Sequence, residues 1–314
     1  MPDLATVRKG LASVLGHDAN DFEIVERSVS VLASTYVNEV VRCRRRDGFE
    51  FRLFCKYSGG RGDNAYGHRG SVGYEGLVYG AVLRGLPVTT PRFMGTYRLG
   101  DSGDTCLVLE HLEGVTPLTW RKDVGSFERA ARWIAEFHSL NEARVDDPNF
   151  SFLRSYDEVY YLGWVGRTRL YSSSLRHRYP WLEPLCGRTP STFRLLLEGP
   201  QTIVHGEFYG KNVVAADDTV WPVDWESAAR AAGEIDLASL TERWPEDVVL
   251  RCERAYRETK WPGGAPAEHS KRLDVARLYL ALRWLGDRAE WTRSSEATHR
   301  FEELRSLGER LGVI

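Results

Sequence analysis

Three side chains between residues 203 and 237 have the types and the spacing that a site for a metal-bound phosphate requires. Glu207 and Asn212 lie five residues apart in the stretch HGEFYGKN, and Asp224 follows in the stretch VDWE. Hard cations such as Mg²⁺ prefer oxygen ligands, which Asp224 and the amide of Asn212 can supply. Glu207 is then the candidate to accept the proton of a substrate hydroxyl, or to orient that hydroxyl. The set predicts transfer of the γ-phosphoryl group of ATP to an alcohol.

Short strands and turns are predicted to present these three side chains to one cleft. An apolar stretch precedes the loop of Glu207 and Asn212, and a predicted turn at 217–218 follows that loop. A short strand at 220–223 then ends at Asp224. This succession of loop, hairpin and loop can bring the three residues together, because a tight turn returns the chain to the edge from which it started.

The order H-G-E-x-x-x-x-N, followed by V-D-W-E, resembles the motifs of the aminoglycoside phosphotransferase and choline kinase branch of the protein-kinase-like fold. The resemblance implies that Asp224 is the main Mg²⁺ ligand and Asn212 the second one. Asp236, in the stretch EIDL, matches the structural aspartate of the family, which braces the catalytic loop through backbone hydrogen bonds. His205 is expected to hold the same loop through hydrogen bonds. The specific motifs occupy residues 203–237, and the layout of the family extends over most of the chain.

Glu207 departs from the family pattern, which usually reads H-G-D. One extra methylene moves a carboxylate by about an ångström, and a positioning error of that size can cost roughly a hundredfold in rate. In one hypothesis the chain is an active enzyme whose acceptor hydroxyl lies farther back. In the other it is a catalytically impaired kinase-like protein that binds a nucleotide or a metabolite. We favour the active enzyme, because Asn212 and Asp224 keep the spacing of metal ligands.

The N-terminal third contains the phosphate-binding groups that such a reaction requires. Strands at 39–43 and 50–57 are predicted to form a hairpin, with Lys56 at the end of the second strand. A helix is predicted from 71 to about 83, with Glu75 in its first part. The resemblance implies that Lys56 holds the α- and β-phosphates and that Glu75 orients Lys56.

Two further strands, at 91–97 and 105–110, are predicted before the chain enters its second half. The resemblance places the link between the two lobes after the second of these strands. Backbone groups of Glu110, His111 and Leu112 are therefore expected to hydrogen-bond the edge of the adenine.

The loop that would cover the phosphates is assigned to residues 27–36, although this stretch contains no G-x-G-x-x-G motif. Its small hydroxyl residues, Ser34 among them, could present backbone N–H groups to a phosphate. The same stretch also fits an ordinary hairpin loop. ATP and Mg²⁺ are the expected cofactors, and GTP in place of ATP is left open.

The order of the elements predicts an α+β, bilobal protein-kinase-like fold. Residues 1–112 are expected to form a small nucleotide-binding N-lobe with an antiparallel sheet and one main helix. Residues 113–314 are expected to form a larger, mostly helical C-lobe with the catalytic loop, the metal site and the acceptor-binding helices. Helices are predicted at about 126–140, 247–259, 270–288 and 295–311.

Composition narrows the classes of function. A chain of 314 residues with 42% hydrophobic content can bury the cores of two lobes. A net charge of −2 disfavours nucleic acid as the main partner. The five cysteines are odd in number and lack metal-ligand spacing, so a reducing cytoplasm is expected. The N-terminus lacks the apolar region of a signal peptide and no apolar run reaches membrane-spanning length, so no membrane association is expected.

Residues 150–200 are expected to determine the acceptor, because they lie inside the predicted C-lobe and are rich in aromatic side chains. This segment contains seven arginines and no lysine against four acidic residues, a balance of +3. A site for a polycation needs the opposite charge or an aromatic cage, so the expected acceptor is neutral or anionic. A sugar, a nucleoside, an antibiotic-type natural product and a Ser/Thr hydroxyl of a modified peptide all remain open. Each arginine could equally solvate the surface of a helix.

Overall fold

The computed structural model describes residues 1–30, 36–59, 67–100, 104–121 and 123–314. Ser34, assigned above to the phosphate-covering loop, lies outside the described residues. The chain divides into two compact units. Unit 1 comprises Met1–Thr116 and Trp221–Ser227, and unit 2 comprises Pro117–Val220 and Ala228–Ile314.

The sheet of unit 1 is antiparallel throughout. Its strands are β1 (Phe22–Val29), β2 (Val37–Arg45), β3 (Glu50–Tyr57), β4 (Phe93–Leu99) and β5 (Asp104–Glu110). Their spatial order is β1-β2-β3-β5-β4, so β3 is hydrogen-bonded along both edges. This pairing fixes the register of β3, and with it the face on which Lys56 projects near the end of the strand.

Two helices accompany this sheet. They are α1 (Leu4–Leu15) and α2 (Val72–Leu77), and α2 continues directly into a π-helical turn at Val78–Leu83. The predicted helix at 71–83 is therefore confirmed, with a wider second half than a regular α-helix. The N-cap of α2 is Ser71, whose hydroxyl accepts a hydrogen bond from the N–H of Tyr74. Helix α1 is absent from the predicted elements.

The core of unit 1 lies between α1 and one face of the sheet. Val7 and Leu11, one helical turn apart on α1, are fully buried there. The inward-facing residues of the strands complete this core: Phe22, Val41, Cys43, Leu53, Cys55, Tyr57, Tyr97, Cys106 and Val108.

Unit 2 is mostly helical. Its helices are α3 (Val124–Glu142), α4 (Glu158–Tyr171), α5 (Leu182–Leu197), α6 (Glu234–Thr241), α7 (Glu246–Lys260), α8 (His269–Asp287), α9 (Ala289–Thr292) and α10 (Thr298–Arg310). The four helices predicted for this region are confirmed as α3, α7, α8 and α10, each within three residues of the predicted ends. Helix α8 packs against α4, α5, α6 and α10 and is the most central of the set.

Short strands position the loops of the motif region. They are β6 (Thr116–Pro117), β7 (Arg154–Ser155), β8 (Gln201–Val204), β9 (Val213–Ala216), β10 (Thr219–Pro222) and β11 (Ala229–Ala232). Strand β11 lies between β7 and β8, parallel to the first and antiparallel to the second. Glu207 follows β8 and Asp224 follows β10, as the loop, hairpin and loop pattern predicts.

A membrane-spanning segment would need a long and strongly apolar helix. None of the helices in the described parts of the chain meets both conditions.

Candidate functional site

Among the described residues of unit 1, three carboxylates surround the ammonium group of Lys56. Lys56 Nζ lies 2.5 Å from Asp224 Oδ1, 2.7 Å from Glu75 Oε2 and 3.2 Å from Glu226 Oε2. We call these four residues the Lys56 cluster. Burial opposes the charge of Lys56, but the carboxylates of Asp224, Glu75 and Glu226 outweigh it, so the pKa of Lys56 is raised well above its ordinary value. The ammonium is therefore kept charged inside the protein.

Backbone contacts hold the members of the Lys56 cluster in place. The N–H of Trp225 donates to Glu75 Oε1 over 3.2 Å, and the N–H of Gly70 donates to the carbonyl oxygen of Glu226 over 2.6 Å. Asp224 itself has a φ of +69°, in the left-handed region that non-glycine residues rarely adopt. Such strain is retained where the surroundings impose it, and it occurs preferentially at functional positions.

The three carboxylates of the Lys56 cluster differ in their solvent exposure. The side chain of Asp224 is 26% exposed, whereas those of Glu75 and Glu226 are 2% and 1% exposed. Asp224 is thus the carboxylate that an incoming ligand can reach. Glu226 was missed by the sequence reasoning, and its position two residues after Asp224 in VDWE is the signal that could have revealed it.

The oxygen-rich donor set of the Lys56 cluster fits a hard cation. One oxygen from each of Glu75, Asp224 and Glu226 lies within 4.8 Å of the other two. Because Glu75 and Glu226 are buried against Lys56, Asp224 is the residue of this set that best suits a Mg²⁺ ion bound together with a nucleotide.

The three residues expected to contact adenine lie at and after the end of β5. The N–H of Glu110 donates to the carbonyl oxygen of Arg92 over 2.9 Å, and the N–H of His111 donates to that of Arg52 over 3.4 Å. Two of the three expected N–H donors are therefore already engaged inside unit 1. His111 and Leu112 are both partly exposed.

In unit 2, Asp236 braces the loop that carries Glu207. Its carboxylate accepts hydrogen bonds from the N–H groups of His205, over 2.6 Å, and Gly206, over 2.9 Å. This is the bracing that the sequence resemblance implies for Asp236. Gly206 has a φ of +81°, a conformation that glycine adopts without strain. His138 on α3 lies 3.1 Å from the same carboxylate and is fully buried.

The side-chain amide of Asn212 is fixed by the same loop. Its Nδ2 donates to the carbonyl oxygen of Glu207 over 2.9 Å. The amide oxygen is then directed away from that carbonyl group and is the atom suited to a cation. Asn212 and Glu207 are 6% and 3% exposed, so both side chains are nearly buried.

Glu207 forms an ion pair with Arg283 of α8. Arg283 Nη1 lies 3.1 Å from Glu207 Oε1, and Nη2 donates to the hydroxyl of Tyr209. Burial opposes the charge of Arg283, but Tyr209 and Glu207 outweigh it and raise the pKa of Arg283 well above its ordinary value. The sequence reasoning missed Arg283, because 76 residues separate it from Glu207 and no local motif surrounds it.

Some arginines of residues 150–200 contact other groups of the protein, and others are solvent-exposed. Arg167 donates to the carbonyl oxygens of Gly286, over 2.7 Å, and Asp287, over 3.2 Å. Arg188 donates to a carbonyl oxygen at the C-terminus, and Arg169 forms an exposed ion pair. Three others are solvent-exposed: Arg176, Arg178 and Arg194. That the positive charge of this segment favours a neutral or anionic acceptor stays a prediction.

No protein-family model matches this sequence, and no curated protein matches it at a significant level. Solved structures do match. One is the choline kinase from Cryptosporidium parvum Iowa II, with a TM-score of 0.63 and 12% identity over 99% of this chain and 96% of that chain. A second is the apoenzyme of a macrolide 2′-phosphotransferase from Brachybacterium faecium, with a TM-score of 0.56 and 18% identity over 97% of both chains.

A third match is the GDP complex of wild-type aminoglycoside 2′-phosphotransferase-IIIa, with a TM-score of 0.61 and 12% identity over 98% of this chain and 99% of that chain. Identities this low establish a shared fold and nothing finer. The chain therefore has the protein-kinase-like α+β fold that the sequence predicts, with an antiparallel sheet in unit 1 and a mostly helical unit 2.

Proposed function

We propose that this chain is an ATP- and Mg²⁺-dependent phosphotransferase that acts on an alcohol hydroxyl group. The Lys56 cluster carries the proposal most directly, because it combines a buried cation suited to phosphate with a reachable carboxylate suited to a metal ion. The similar solved structures include kinases and phosphotransferases, one of them bound to GDP, which supports a nucleotide as the donor. GTP in place of ATP remains open.

In this proposal residues 1–112 bind the nucleotide. Lys56 holds the α- and β-phosphates, and Glu75 keeps its ammonium oriented through the 2.7 Å ion pair. Backbone groups of Glu110, His111 and Leu112 contact the base, with Leu112 supplying the N–H group. Asp224 is the main Mg²⁺ ligand and Asn212 the second, and the bound ion would neutralise phosphate charge.

Residues 113–314 bind the acceptor and supply the proton acceptor. Glu207 takes the proton of the acceptor hydroxyl while the hydroxyl oxygen forms a bond to the γ-phosphorus. The bond between the γ-phosphorus and the β–γ bridging oxygen breaks, and the electron pair leaves with ADP. Asp236 keeps the loop of Glu207 rigid, so that the carboxylate does not have to be reordered in each turnover.

We propose a neutral or anionic acceptor, either a small molecule such as a sugar, a nucleoside or an antibiotic-type natural product, or a Ser/Thr hydroxyl of a modified peptide. Arg283 balances the charge of Glu207, so the surroundings of this carboxylate lack the excess negative charge that a cation requires.

One observation favours a second candidate function. The carboxylate of Glu207 is already engaged by Arg283. This is compatible with a protein that binds a nucleotide or a metabolite without transferring phosphate. Turnover in the native protein separates the two functions. Turnover that appears only in Glu207→Asp would favour the impaired protein, and turnover that survives Glu207→Ala would contradict the role of Glu207 as the base.

All five cysteines are free thiols in the structure, and a reducing cytoplasm is the setting that we propose for the protein.

The nucleotide site is tested by calorimetric titration of ATP, with and without Mg²⁺, into the native protein and Asp224→Ala. We expect Mg²⁺-dependent binding to the native protein and a loss of affinity of at least roughly tenfold in the variant, because a direct metal ligand is removed. Asp218→Ala is the matched control, since the Asp218 side chain is 95% exposed and should leave binding unchanged. Absence of ATP binding to the native protein would contradict the kinase function.

A further inference from the structure

Arg283 contacts the loop of Glu207 at two points. One nitrogen of its guanidinium group binds the carboxylate of Glu207, and another binds the hydroxyl of Tyr209, two residues further along the loop. Because the guanidinium group is planar and rigid, these two contacts fix the relative position of both side chains.

We propose that Arg283 is the positioning residue for Glu207, and that it compensates for the longer side chain that stands where an aspartate is usual. The inference rests on the proposed phosphotransferase function. A glutamate has one more rotatable bond than an aspartate, so a free Glu207 would sample more positions of its carboxylate. The ion pair selects one of them, and Tyr209 limits the movement of Arg283 in turn.

Burial makes this contact effective. Arg283 is 6% exposed and Glu207 is 3% exposed, so water competes little for either charge. The ion pair between Arg283 and Glu207 therefore holds the carboxylate at the depth where its loop places it.

Aromatic rings hold Arg283 itself. Its guanidinium carbon lies 5.7 Å from the ring centre of Tyr209 and 5.5 Å from that of Trp284. Arg300 provides a natural comparison, since it is 4% exposed, lies 5.1 Å from the ring centre of Trp284 and pairs with Glu242 at 2.7 Å. The two arginines thus share depth and an aromatic neighbour but differ in the carboxylate that they bind.

The kinetic test compares Arg283→Met with Arg300→Met. We expect Arg283→Met to lower kcat roughly a hundredfold, the effect of a misplacement of about 1 Å, while the KM for ATP changes less than about twofold. Arg283→Lys should recover part of kcat, because its ammonium can still pair with Glu207. In a Glu207→Gln background, Arg283→Met should have little further effect. Equal losses in Arg283→Met and Arg300→Met, or independent effects of Arg283 and Glu207, would overturn the inference.

Crystal structures of these variants give a readout that does not depend on activity. We expect the carboxylate of Glu207 to move by about 1 Å or more in Arg283→Met and to stay in place in Arg300→Met. If Arg283→Met fails to fold, Arg283→Lys and Tyr209→Phe serve instead, with a smaller displacement expected. An unmoved Glu207 would overturn the positioning role even if the native enzyme is active. A displaced Glu207 in a protein that transfers no phosphate would support positioning and contradict the proposed function.

Discussion

Both candidate sites depend on a buried cation that compensates neighbouring carboxylates. Lys56 does this for Glu75, Asp224 and Glu226 in unit 1, and Arg283 does it for Glu207 in unit 2. Removing one partner of such a pair typically costs about 3–5 kcal/mol, because the remaining charge is left without compensation. At the scale of single residues, function and stability are therefore coupled at these positions.

His138 is a buried histidine that contacts Asp236, the residue that braces the loop of Glu207. It lies 3.1 Å from Asp236 and 2.9 Å from the hydroxyl of Tyr256, and burial lowers its pKa. A histidine that stays neutral in the folded state binds a proton more readily in the unfolded state. Unfolding is therefore favoured as the pH falls below the ordinary histidine pKa of about 6.5.

We predict that the free energy of unfolding falls between pH 7.5 and 5.5 and that His138→Gln reduces this fall. The variant should also be less stable at pH 7.5 by about 1–3 kcal/mol, because Asp236 and Tyr256 lose a hydrogen-bond partner. Urea unfolding at both pH values measures each quantity. His177→Gln is the control, because His177 is exposed. Equal pH dependence in His138→Gln and the native protein would contradict the prediction.

At the scale of elements, the strands and long helices follow from regular patterns, and α1 shows why one element was missed. Gly10 lies in the middle of this helix and weakens the helical signal of the sequence. A Cβ atom at this position would lie 2.2 Å from Cε2 of Tyr97 on β4, so packing requires the glycine. A tertiary contact therefore explains the residue that obscured the helix.

We predict that Gly10→Ala destabilises the protein by about 1–2 kcal/mol, although alanine is the better helix former. The reason is that Tyr97 is nearly buried and has little room to move away from the new methyl group. Ser13→Ala in the same helix is the matched control, because Ser13 is exposed and the change should be neutral or slightly stabilising. Urea unfolding distinguishes the two, and a gain in stability for Gly10→Ala would refute the close contact.

Across the whole molecule, the five cysteines are distributed over both units and can show whether either core opens. Cys43, Cys55 and Cys106 lie in unit 1, Cys186 and Cys252 lie in unit 2, and none is more than 2% exposed. Burial raises the pKa of Cys43, Cys186 and Cys252 to about 12. Both effects suppress the thiolate form, which is the reactive one.

We predict that a thiol reagent such as Ellman's reagent labels the native protein slowly at pH 8 and labels five thiols once the protein is denatured. The rate of native labelling then measures opening of the cores. Fast labelling of one or more cysteines in the native protein would show that the unit containing them opens locally.

The sequence alone was enough to predict the protein-kinase-like fold, the pairing of Glu75 with Lys56 and the bracing of the Glu207 loop by Asp236. The resemblance of the motifs to those of a known family implies both contacts, and a strand, the next helix and a loop have few ways to meet once the fold is known. The functional roles of Lys56, Glu207, Asn212 and Asp224 remain predictions.

The contacts of the remaining charged side chains could be seen only in the folded protein. The sequence could not reveal that Arg283 pairs with Glu207, or that Glu226 joins the Lys56 cluster, because such contacts join residues far apart in the chain. For the same reason the sequence could not show that Arg167 and Arg188 contact backbone carbonyl oxygens. The sign of each charge can be read from the sequence, but the partner of that charge depends on packing. A buried charge requires a counter-charge or a hydrogen bond.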